Sequence, residues 1–65
     1  MTVGIKERYK IRYVDGRIYT VTARGYPSAK VEFVSRYQGQ LPLARGQRLV
    51  VWPMGRTHES RNMRI

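Results

Sequence analysis

Arg8, Lys10 and Arg12 recur at every second position of one short run, and Arg17 follows soon after. In an extended chain, side chains at spacing two share a face. These cations would therefore stand in a row able to hold anions. Arginine adds a planar fork that matches phosphate oxygens and guanine edges. Arg48 lies on a later apolar run, and Arg56, Arg61 and Arg64 lie near the end of the sequence; all four extend the candidate set. Thr20 and Thr22 would add hydroxyl contacts to phosphate. The competing use of the same cations is to keep an exposed sheet soluble and to block edge pairing.

Other chemistry is poorly supplied. The 65 residues include Cys 0 and His 1, so there is no thiolate zinc site, no cysteine nucleophile and only His58 for imidazole chemistry. Glu7, Asp15, Glu32 and Glu59 are scattered singly, which argues against a paired-carboxylate hydrolase. Gly16, Gly25, Gly39 and Gly46 are isolated turn glycines and form no phosphate-cradling motif. The expectation is a binding protein, with no enzymatic activity, cofactor, metal or small-molecule substrate. Lys+Arg 13 against Asp+Glu 4 gives a formal net charge of +9 and a pI near 10.9. Such a field attracts polyanions. Two partner classes fit it: nucleic acid, DNA or RNA, and an acidic surface of a larger protein.

The elements that would carry these residues follow from pattern. Arg8–Val14 and Arg17–Ala23 are alternating runs rich in Tyr, Val, Ile and Thr around Asp15-Gly16, a hairpin signal. A two-residue loop would pair Tyr13 with Ile18 and mix both faces. A three-residue loop over Val14-Asp15-Gly16, with Gly16 left-handed, pairs Tyr9 with Val21 and Ile11 with Tyr19. It gathers Tyr9, Ile11, Tyr13, Tyr19, Val21 and Ala23 on a core face. Arg8, Lys10, Arg12, Thr20 and Thr22 then form a basic face. A one-residue slip exchanges faces, so the cleaner segregation is predicted.

Residues 27–38 read either way. Strand alternation groups Val31, Phe33 and Tyr37, whereas helical spacing groups Ala29, Phe33 and Tyr37, or Val31, Val34 and Gln38. Pro27 as an opener and Gly39 as a stop favour the helix. Arg48–Trp52 is a strand closed by Pro53, and Trp52 is the aromatic expected to be partly exposed. The tyrosines of the hairpin are assigned to the core. The predicted fold is α+β, a small antiparallel three-stranded sheet with one helix on one face. Tyr9, Ile11, Tyr19, Val21 and Val50 are expected beneath that helix. A small, partly open all-β barrel is the alternative. Residues 1–54 form the expected domain, and 55–65 a flexible basic tail.

No run of apolar residues approaches the length of a membrane span. The N-terminus, Met1-Thr2-Val3-Gly4-Ile5-Lys6-Glu7, has no signal-peptide apolar region. Cytoplasm is the expected compartment.

Arg17–Ala23, then Pro27-Ser28-Ala29 opening a helix, then Arg48–Trp52, resembles a layout common among tiny phage-encoded proteins. One such family is the small host RNA-polymerase inhibitors of short-tailed coliphages, similar in length and strand–strand–helix–strand order. The resemblance spans residues 8–53 and is one of topology. It implies a regulator that binds and inhibits a larger host enzyme through its sheet and charged edge, in the host cytoplasm. It assigns no functional residue.

Overall fold

A computed structural model describes residues 5–65. The expectation for the N-terminus lies, at residues 1–4, outside the described residues. The chain forms β1 (Glu7–Arg12), β2 (Ile18–Ala23), α1 (Tyr26–Tyr37), β3 (Arg48–Pro53), a single 3₁₀ turn (Thr57–Glu59) and β4 (Arg61–Arg64). The strands make one open, four-stranded antiparallel sheet in the order β2-β1-β3-β4. The fold is α+β, and the sheet does not close into a barrel.

The hairpin register is the one that segregates the faces. Tyr9 pairs with Val21, Ile11 with Tyr19, Arg12 with Ile18 and Lys10 with Thr20. Tyr13 N–H donates to the Arg17 carbonyl and Gly16 N–H to the Tyr13 carbonyl, each at 2.9 Å, closing a three-residue loop. Gly16 has φ 89°, a region that a β-branched side chain reaches only under strain. Gly16→Val is expected to lower stability by about 1–2 kcal/mol. A thermal melt of that variant superimposing on wild type would contradict the turn.

β1 is antiparallel to both neighbours, so β2 and β3 run in the same direction with β1 between them. Such a pair needs a crossover, and α1 supplies it. Gly25 caps the helix in extended conformation with no side-chain bond, and Pro27 sits in the first turn, where its missing N–H has no intrahelical partner to lose. The buried stripe is Ala29 and Phe33, with Tyr26, Val34 and Tyr37 packed beside it. Val31 points to solvent, 63% exposed, which selects the Ala29–Phe33–Tyr37 spacing over its rival. The helix ends just before Gly39, but left-handed backbone occurs instead at Gly16, Gly46 and Gly55.

The core between helix and sheet holds Tyr9, Ile11, Tyr13, Val21, Ala23, Ala29, Phe33, Leu49 and Val51. Tyr9 and Tyr13 of the hairpin belong to it as expected, and Tyr19, half-buried, packs against it. Phe33 is the hub: its ring lies 5.4 Å from Tyr19, 5.2 Å from Tyr37 and 6.2 Å from Tyr13. Tyr13 reaches through the core to donate its hydroxyl proton to the Pro42 carbonyl at 3.0 Å, tying the loop before β3 to the hairpin.

Three expectations need correction. Val50 is not under the helix. Ile11 pairs with Val51 and Arg12 with Val50, so Leu49 and Val51 enter the core and Val50 shares the opposite face with Arg12. The sheet has four strands, not three. The end of the chain is not a tail: Arg48 pairs with Arg64, Leu49 with Met63, Val50 with Asn62 and Val51 with Arg61. Met63 and Ile65 pack against the core, and Ile65 N–H donates to the Gln47 carbonyl at 2.9 Å. The segment carries too few apolar residues to show a strand period. The ladder along β3 and the packing of Met63 and Ile65 against the core make it one.

Candidate nucleic-acid interface

Directly opposed residues on neighbouring strands project to the same side of a sheet. The ladders therefore fix what the face away from α1 presents. β1 contributes Arg8, Lys10 and Arg12; β2 contributes Ile18, Thr20 and Thr22. β3 contributes Arg48, Val50 and Trp52, and β4 contributes Asn62 and Arg64. Arg8, Arg12, Arg48 and Arg64 are exposed, and Lys10 is half-buried. Lys10 Nζ donates to Thr20 Oγ1 at 2.9 Å, which holds its ammonium against the cross-strand hydroxyl. Arg48 and Arg64 stand directly opposite each other, a like-charge pairing that destabilises a sheet unless an anion lies between.

Among the described residues no carboxylate side chain faces them. Glu7 shares the Tyr9 side of β1 and is bonded to Arg56, while Glu59 also binds Arg56. Asp15 lies in the hairpin turn beside Arg17, and Glu32 is on the helix across the sheet. Among the described residues, none of Arg8, Lys10, Arg12, Arg48 and Arg64 is paired with an acid.

Five of the eight candidate cations thus share one surface. The other three are elsewhere. Arg17 sits at the hairpin tip, its Nε 3.8 Å from Asp15 Oδ2. Arg56 is clamped by Glu7 at 3.2 Å and Glu59 at 3.0 Å, and those hydrogen bonds raise its pKa. Arg61 lies on the helix side of the sheet, opposite Val51, with its guanidinium 4.4 Å from the centre of the Tyr26 ring.

Around Arg56 the packing is structural. Tyr9 donates its hydroxyl proton to Glu7 Oε1 at 3.2 Å, its ring meets Tyr26 edge-on at 5.4 Å, and Tyr26 in turn donates to the Glu59 carbonyl. Burial first, and the Glu7 bond second, push the Tyr9 phenol above its ordinary value of 10.0. A phenol raised in the folded state keeps its full contribution below the unfolded value and loses it as pH climbs through the folded one. Stability is accordingly expected to fall above pH 10.0, and Tyr9→Phe should flatten that limb in alkaline denaturation followed by circular dichroism. An unchanged limb would mean that Tyr9 does not drive it.

Trp52 departs from expectation. It is only 6% exposed, although it lies on the open face opposite Lys10. The Arg12 guanidinium stands over its ring, 5.4 Å from the centroid, within cation–π range. The alternation of Arg48, Val50 and Trp52 was the signal that could have placed this indole among the arginines. Nothing in sequence indicates that an arginine covers it.

Among the described residues no helix is long and apolar enough to cross a membrane, and no group of three His, Asp or Glu side chains could hold a metal ion. No family model, no curated protein and no solved structure matches this chain.

Proposed function

We propose that this chain is a nucleic-acid-binding module that lays a phosphate backbone along the face of Arg8, Lys10, Arg12, Arg48 and Arg64. The observation that carries the reading is the segregation itself: five cations on one side of the sheet and no carboxylate among them. A phosphodiester chain supplies the regularly spaced anions that such a surface lacks, and the phosphate term dominates affinity in this kind of binding. Thr20, Thr22 and Asn62 on the same face can donate to phosphate or sugar oxygens. The reading is of a binder, not of an enzyme.

The test is fluorescence anisotropy with labelled DNA and RNA oligonucleotides across a salt series. If all five cations engage phosphate, log K should fall against log salt with a slope of about −4.5 on duplex DNA and about −3.5 on a single strand. Absence of binding to either at low salt, with retention on an acidic host protein such as an RNA polymerase, would move the assignment. The chain would then be a small phage-like regulator that covers an acidic surface of a larger enzyme.

A further inference from the structure

We infer that Arg12, held over Trp52, is a stacking platform for an unpaired base, so that the partner of the open face is single-stranded nucleic acid. This rests on the reading of that face as a phosphate-binding surface and names the form of nucleic acid it takes. A guanidinium is planar, and one of its faces can lie on an aromatic ring while the other remains open. Here Arg12 Cζ lies over the indole, 5.4 Å from the ring centroid, and Arg12 is exposed. Arginine planes and aromatic rings are the surfaces on which splayed bases stack.

The surroundings of Arg12 separate it from the other cations of the face. Ile18, directly opposite on β2, is 51% exposed, and Val50, directly opposite on β3, is half-buried. A solvent-facing isoleucine beside a guanidinium offers apolar contact to a base edge. Around it Arg8 and Lys10 along β1, and Arg48 across on β3, supply phosphate contacts on either side of the platform. The arrangement is a stacking centre with a cationic rim. Base pairs in the interior of a duplex present no free ring face to such a platform, so the arrangement favours an unpaired strand. Trp52 acts through Arg12: it is a positioning residue, and its near-complete burial keeps the base on the guanidinium and off the indole.

The experiment compares three probes on the full chain: a thymidine oligonucleotide of about 12 nucleotides, within the range one small sheet surface covers, an abasic strand of the same length, and a duplex of the same length. Abasic and thymidine strands carry the same phosphates, so their ratio reads the base alone. The expected result is about tenfold tighter binding of the thymidine strand than of the abasic strand. Trp52, the sole tryptophan (Trp 1), should report the thymidine strand by a change in emission that the abasic strand does not produce. Arg12→Lys retains the charge and removes the plane, and should bring the thymidine strand down towards the abasic one. Equal binding of both strands with a steep salt slope would overturn the stacking platform and leave the phosphate-binding reading standing. Tighter binding of the duplex would also overturn it. No binding of any probe at low salt would overturn both.

Discussion

Replacing Phe33 with alanine is expected to leave the chain largely unfolded at room temperature. The ring is wholly buried and touches Tyr13, Tyr19 and Tyr37, so its removal empties the centre of an aromatic cluster joining helix and sheet. Large-to-small changes of this kind cost about 3–5 kcal/mol. A single core in a chain of this length supplies about 3–5 kcal/mol of net stability, so the loss takes most of it. Loss of the cooperative transition in a circular-dichroism melt would show this. Val31→Ala on the same helix, at a position 63% exposed, should change the midpoint little. A cooperative melt for Phe33→Ala within a few degrees of wild type would mean that α1 is not seated on the sheet through this ring.

The second large effect is on binding. Changing Arg8, Lys10 and Arg12 together to alanine should leave the chain folded at a modest cost in stability, since the exposed charges of Arg8 and Arg12 contribute little and the Arg12–Trp52 contact is worth about 0.5–1 kcal/mol. The same change should make the salt slope shallower by about 2.1 on a single strand and by about 2.7 on duplex DNA. A folded triple variant with wild-type affinity and slope would exclude β1 as the contact strand. The search would then narrow to Arg48 and Arg64, which share the face. Arg56 and Arg61 would not be next, because one is held by two glutamates and the other lies across the sheet on Tyr26.

The hairpin was legible because its two runs alternate cleanly and only one register sorts tyrosines from cations. That register is the one found, pair for pair from Arg8–Thr22 to Arg12–Ile18. Residues 27–38 were harder, since Phe33 and Tyr37 fit both a strand and a helix face. Pro27 decided the matter physically, as it opens a helix without a broken bond and would interrupt a ladder. β4 was illegible in principle. Arg61-Asn62-Met63-Arg64 has one apolar side chain, and its pairing is dictated by what β3 leaves uncovered; strand propensity is set by context of this sort. On the open face proposed to bind phosphate, the row on β1 was readable from spacing alone. Arg64 joined that face only because β4 exists, and the Arg12–Trp52 contact depends on how β1 and β3 align, which no local pattern encodes.

The opposition of Arg48 and Arg64 on that face has a consequence for how salt should act on the protein. Like charges held side by side raise the energy of the folded sheet, and mobile ions relieve that repulsion by screening it. Added salt should therefore raise the melting temperature of the free protein. The same ions would compete with phosphate and so weaken the proposed complex with nucleic acid. A bound polyanion stabilises the fold by mass action, and its benefit shrinks as salt is added. The melting temperature of the free chain and that of the saturated complex should thus converge with ionic strength, one rising while the other falls. A single calorimetric salt series, with and without oligonucleotide, would register both the repulsion built into the sheet and its neutralisation by a partner.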